Sequence, residues 1–274
     1  MVQLHVHKEL LFCRLQLPEL SGKKFVLGPQ HASTFFLAMS PLCVYSFLTD
    51  VWEDLYFMEP LLAVLNLIGT AAFAISGALT AIRKGMDLLG VLILGMVTAV
   101  GGGVFRDLVL GRIPPDAFTD PLYAIVSALT AFVVFLVLYF RLASFRSVNG
   151  PLFQRVLLIS DTIGLAVFSV VGVQAGFDLH EGSRWFLCLF LGTITGVGGG
   201  VLRDLLAGDR PYIFYKHIYA CASMAGALLC TVLWGILGET PSMLLGAAAV
   251  VLIRLLAIRF ELNLPRIPLE EREK

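Results

Sequence analysis

The chain has 274 residues, 58% of them hydrophobic and 15% charged, where soluble domains run roughly 45–50% apolar and about 25% charged. That balance excludes an ordinary water-soluble domain, and a formal net charge of zero argues against nucleic acid as a partner. Residues 1–57 hold an apolar stretch at 34–48, short for a span and interrupted by Pro41, and they lack the charged-apolar-small order of a secretory signal. We expect residues 1–57 to be an N-terminal extension, with the functional chain beginning near Met58; the alternative is an eighth, marginal helix.

A bilayer-crossing helix needs about 20 mostly apolar residues. Seven stretches qualify, at 61–82, 88–110, 121–140, 156–175, 185–207, 218–237 and 241–259. Breakers punctuate the short loops between them: Lys84-Gly85, Pro114-Pro115, Asn149-Gly150-Pro151 and Pro211. Short alternating segments of the kind a β-barrel needs are missing. The expectation is an all-α membrane protein of seven transmembrane helices.

The second and fifth spans carry near-copies of one motif, TAVGGGVFRDLVLGR at 98–112 and TGVGGGVLRDLLAGD at 195–209. Gly101, Gly102, Gly103, Arg106, Asp107 and Gly111 recur 97 residues later as Gly198, Gly199, Gly200, Arg203, Asp204 and Gly208. The repeat extends further. Gly69, Phe73 and Gly77 of span one answer Gly164, Phe168 and Gly172 of span four at an offset of 95, which also sets Asn66 opposite Asp161. Tyr123-Ala124 answers Tyr219-Ala220. Three spans per copy is an odd number, so the two copies run in opposite directions across the membrane, and sites are favoured near the pseudo-two-fold axis. The expected units are 58–145 and 152–238 for the two three-helix repeats, then 241–274 for a seventh helix and its tail.

Arginine and lysine in the short loops set the orientation. Residues 50–60 hold four acids and no Lys or Arg. Arg83 and Lys84, then Arg141, Arg146 and Arg155, then Arg210 and Lys216 mark alternate loops, and Arg266, Arg272 and Lys274 mark the tail. This places the N-terminal end of span one outside and the C-terminus in the cytoplasm.

Three adjacent glycines are poor helix formers, each costing about 1 kcal/mol relative to Ala. They suit close helix packing, or a break that exposes carbonyls and half-helix ends to a hydrated path; the duplication favours the break. Arg106-Asp107 and Arg203-Asp204 lie near the ends of their spans, and neighbours about 100° apart on a helix are poorly placed to pair, so each is expected to seek partners elsewhere. The choice is between a structural ion-pair network and an ion-selecting vestibule. Asp161, read as about six residues into span four, is costly unless it faces the bundle interior; it attracts a cation, pairs with Arg106 or Arg203, or holds a proton. Ala72, Ser76 and Thr80 read as a packing stripe, and Arg254 and Arg259 as cytoplasmic anchors. Cys13, Cys43, Cys188, Cys221 and Cys230 show no paired or metal-ligand spacing and read as reduced packing residues. No nucleophile-base arrangement, phosphate loop or metal cluster is visible, so neither an enzyme nor a cofactor or metal site is expected.

Five segments carry a family resemblance: GTAAFAISGAL (69–79), DLLGVLILGMVTAVGGGVFRDLVLGRIP (87–114), DTIGLAVFSVVGV (161–173), GTITGVGGGVLRDLLAGDRP (192–211) and LIRLLAIRFELNLP (252–265). In these the chain closely resembles a bacterial membrane family related to the trimeric intracellular cation (TRIC) channels. The resemblance implies a homotrimer with an hourglass pore in each protomer and kinks at Gly101–Gly103 and Gly198–Gly200. It implies either a potassium-permeable channel or a glycine transporter. Animal relatives bind a lipid at a basic motif where this chain has glycines, and many bacterial members carry Asp at the position of Asn66.

The expected function is therefore passage of a small solute through each protomer, potassium in the first instance and glycine as the alternative, in a bilayer-embedded homotrimer. In both cases the breaks supply carbonyls, with Asp161, Asp107 and Asp204 attracting a cation, or a half-helix N-terminus holding a carboxylate. A membrane scaffold whose glycines only pack is the third reading.

Overall fold

In the computed structural model the described residues are 41–141, 150–179, 185–214 and 218–260, with side chains described from residue 61 onward, Arg141 excepted. All regular structure among them is helical. The main helices are α1 (Pro41–Arg83), α2 (Leu88–Val109), α3 (Leu122–Arg141), α4 (Pro151–Phe177), α5 (Trp185–Leu206), α6 (Tyr219–Leu237) and α7 (Glu239–Arg259). Seven helical segments are long and apolar enough to cross a membrane, the first being Leu61–Arg83 of α1. The chain divides into two units, Met1–Leu61 and Leu62–Lys274. Of the first, the described part is the start of α1; the expectation for residues 1–40 lies outside the described residues. The account below concerns the second unit.

Helix ends follow local chemistry. Asp87 caps α2 by accepting from the Gly90 backbone N–H at 2.8 Å, and Pro151 opens α4, where its missing N–H costs nothing. That start lies earlier than the sequence suggested, because Pro151 nucleates the helix ahead of the most apolar residues. Asp161 is therefore the eleventh residue of α4, rather than the sixth.

Both copies of the repeated motif stop their helix in the same way. Gly111 has φ +70° and Gly208 φ +69°, a left-handed conformation open to glycine. The following N–H turns back onto the helix: Arg112 donates to the Asp107 carbonyl at 2.8 Å and Asp209 to the Asp204 carbonyl at 2.9 Å. These six-to-one bonds satisfy carbonyls that lipid cannot.

The glycine triplets do not break their helices. Both α2 and α5 run helical through Gly101–Gly103 and Gly198–Gly200, which corrects the expectation of unwound main chain. The missing side chains are used instead to bring two backbones together. A Cβ on Gly102 would run into the Thr195 carbonyl, and one on Gly199 into the Thr98 carbonyl. An unwound segment in lipid leaves N–H and C=O groups without partners, whereas a glycine crossing keeps them bonded and gains close contact.

The same logic is repeated on either side. A Cβ on Gly77 would lie 2.6 Å from the Leu94 carbonyl, and one on Gly172 would lie 2.5 Å from the Leu191 carbonyl, so α1 sits on α2 as α4 sits on α5. Phe73 and Phe168, equivalent in the repeat, meet with ring centroids 5.4 Å apart. Together with the α2–α5 crossing they mark the pseudo-two-fold axis. The helix α7 packs on α6 and α4 and belongs to neither copy.

Candidate functional site

A cluster of ionisable side chains is centred on the second repeat. Its centre is Asp161 on α4, with 0% exposure. Arg203, near the end of α5, approaches it at 2.6 Å through Nη1 and donates from the same nitrogen to the Ser76 hydroxyl of α1. Arg254 of α7 lies 3.6 Å from the other Asp161 oxygen. Tyr219 of α6 donates to Asp161 at 3.4 Å, and the Arg254 guanidinium stacks 4.8 Å from the centre of the Tyr219 ring. Arg203 lies over the Tyr212 ring at 5.1 Å. Three helices thus bring side chains to the carboxylate on α4, and α1 joins the cluster through Ser76.

The Arg-Asp neighbours do pair, contrary to expectation. The Arg106 Nε donates to Asp107 at 2.8 Å and the Arg203 Nε to Asp204 at 2.9 Å. Adjacent Cβ atoms diverge, yet the long arginine stem curls back at the last helical turn, where no further turn obstructs it. The second carboxylate oxygen of each Asp holds the following loop: Asp107 accepts from the Asp116 N–H at 3.0 Å and Asp204 from the Tyr212 N–H at 2.8 Å. Each Asp is a staple between a helix end and the chain that leaves it.

A hydrogen bond to a charged group contributes about 1.5–3 kcal/mol. Asp204→Ala is expected to lower the thermal unfolding midpoint in detergent more than Asp107→Ala. Both carboxylates are buried, Asp107 at 1% and Asp204 at 2% exposure, but the Asp204 loop contact is buried, while the Asp107 contact is only partly buried. Equal shifts for the two variants would contradict this ranking.

The first repeat builds the equivalent site differently. Asn66 replaces the carboxylate and interacts with the Tyr123 side chain. Arg106 turns towards Asp107 at 2.7 Å and Asp116 at 3.4 Å, with its side chain 14% exposed, against 1% for Arg203. A Cβ on Gly200 would lie 2.7 Å from the Tyr219 hydroxyl, whereas one on Gly103 would meet nothing within 4 Å among the described residues. One half-site is tightly packed around its charges; the other is loose.

Sequence reasoning missed three members of the cluster. Ser76 read as packing because of its small-residue stripe, and it is indeed buried with Ala72 and Thr80, but its hydroxyl serves Arg203. Arg254 is not an interfacial anchor: it is 1% exposed. The signal was its position five residues inside Arg259, too deep in an apolar helix to reach the interface cheaply. The repeat flagged Tyr219 through Tyr123 without showing its role. Cys188 and Cys230 are buried free thiols among apolar neighbours. Among the described residues no group of acids, His and Cys has the makings of a metal site.

Comparison with known proteins is consistent with this architecture. A family model described as "Glycine transporter" matches the chain twice, at 63–139 and 158–235, the two halves found above. The inner membrane protein YadS of Escherichia coli is 40% identical over 212 residues, covering 76% of this chain and 96% of that protein. A solved structure from work on conductance through TRIC cation channels is 34% identical with a TM-score of 0.65, covering 76% of this chain and 98% of the other. The trimeric intracellular cation channel orthologue from Rhodobacter sphaeroides is 33% identical with a TM-score of 0.65, covering 74% and 99%.

Proposed function

The chain belongs to the glycine-transporter family of TRIC-like membrane proteins, and on that premise we propose that it passes a small monovalent cation, potassium foremost, through each protomer of a homotrimer. The observation that carries the reading is the Asp161–Arg203–Arg254 cluster. Ionised groups inside a membrane bundle are expensive and mark ion or substrate paths. Packing alone does not call for them: the glycine crossing and the Phe73–Phe168 contact already join the two halves.

In this reading the pathway follows the open side of the first half, past Asn66, Tyr123, Gly103 and Arg106, to the paired cluster of the second half. The proposed orientation sets the first half-site towards the outside and the Asp161 cluster towards the cytoplasm, with the C-terminus inside. Gly101, Gly102, Gly198 and Gly199 hold the two halves in contact at the middle, and Gly200 makes room for the Tyr219 hydroxyl. Asp107 and Asp204 fix the loops rather than draw in ions. Arg203, held by Ser76, Asp161 and Asp204, sets the position of Asp161.

A second reading has its own support. The cluster offers both signs of charge, two arginines and two carboxylates, which is what a zwitterion such as glycine needs at its two ends. Purified protein in liposomes separates the two. Potassium flux that rises with membrane potential and does not saturate is expected; saturable uptake of radiolabelled glycine in place of that flux would favour the carrier, and neither signal would leave a scaffold.

A further inference from the structure

We propose that Arg254 is a tethered counter-cation, an intramolecular stand-in that holds the face of Asp161 to which a permeating monovalent cation binds. The inference rests on the cation reading above and deepens it.

Charge counting is the first support. Among the described residues the cluster contains Asp161 and Asp204 against Arg203 and Arg254, two formal charges of each sign. Removing Arg254 leaves one negative charge in excess inside the bundle, and a bound cation is the cheapest way to cancel it.

The division of labour between the two arginines is the second. Arg203 is fixed by close contacts to Asp161 at 2.6 Å, to Asp204 at 2.8 Å and to the Ser76 hydroxyl. Arg254 faces the remaining Asp161 oxygen at 3.6 Å, a looser ion pair, and leans on the Tyr219 ring. A cation entering beside Asp161 displaces the looser partner, not the tighter one, and the Tyr219 ring gives the guanidinium a resting place.

Origin is the third. Arg254 comes from α7, the helix outside the repeat, and it serves the half that has Asp161. The first half has the neutral Asn66 at the equivalent point and, among the described residues, no counterpart of α7. The carboxylate and its extra cation occur together, on one side of the pseudo-axis.

Thermal unfolding of the purified full chain, in potassium chloride and in choline chloride at equal ionic strength, provides a test that does not depend on transport. A ligand that binds only the folded state raises the midpoint. The wild type is expected to melt alike in both salts. R254Q is expected to melt lower in choline and to recover by several degrees in potassium, and the R254Q/D161N double variant to lose that recovery. R254Q in liposomes is further expected to carry several-fold more potassium at low potassium. Identical midpoints for R254Q in both salts would overturn the proposal. If R254Q does not fold in either salt, R254M decides: it keeps an apolar stem in the bundle and removes the charge, so a potassium-dependent rise is expected, and no rise would overturn the idea. Potassium flux through the wild type is judged separately. Its absence beside a potassium-stabilised R254Q removes the transport reading and leaves the counter-cation standing.

Discussion

Asp161→Ala is expected to be the most damaging single substitution in the cluster. It leaves Arg203 and Arg254, both 1% exposed, with Asp204 as the remaining carboxylate of the cluster among the described residues. Removing one partner of a buried ion pair costs about 3–5 kcal/mol, because the other charge stays buried without compensation. Thermal unfolding in detergent, with size-exclusion chromatography to count folded protein, measures the loss. Coupling gives a sharper check. Adding Arg254→Gln to Asp161→Asn restores the balance of charge, so the double variant is expected to lie above the sum of the two single losses. Simple additivity would mean that the two side chains do not act on each other.

Glycine-to-alanine substitution at the α2–α5 crossing is the second large effect. At Gly102 and Gly199 the new methyl group meets a helix carbonyl, which cannot step aside without moving its helix. Overpacking of this kind costs typically about 1–3 kcal/mol per site, and the two sites share one crossing. Gly102→Ala with Gly199→Ala is therefore expected to lower the melting temperature strongly. Gly103→Ala, with open space around it among the described residues, is expected to be near neutral or slightly stabilising through better helix propensity. At Gly101 the methyl would meet the tip of the Leu202 side chain, which can rotate, so its effect falls between. A flat response across the triplet would show that it serves flexibility rather than approach.

This contrast locates what was legible in the sequence. The limits of the membrane-length apolar segments came out within a residue or two for six of the seven, because long apolar runs between breakers have one solution in a bilayer, although the first helix itself begins earlier, at Pro41. The exception is α4, where Pro151 starts the helix in a less apolar segment. The inverted repeat was legible from residue offsets alone. The role of the triplets was not. Glycine offers both a weak helix and a thin one, and the choice depends on which backbone lies opposite, a tertiary fact. The pairing of Arg106 with Asp107 and of Arg203 with Asp204 was missed for a related reason: Cβ directions set the expectation, while the reach of an arginine at a free helix end decided the outcome. Arg254 was hidden because its partner is 93 residues away in the chain, on α4.

The contact between Phe73 and Phe168 follows the symmetry of the repeat. Each ring lies against the other copy's small residue: a Cβ on Gly69 would be 3.2 Å from the Phe168 ring, and one on Gly164 would run into Phe73. Such reciprocity is what two separate, antiparallel three-helix chains present at a dyad, where every residue confronts its own duplicate. In a single chain, positions away from the dyad are free to differ, as Asn66 and Asp161 do, and a seventh helix can serve one half alone. Positions on the dyad have no such freedom, since a change in either partner must still fit the surface that the other presents.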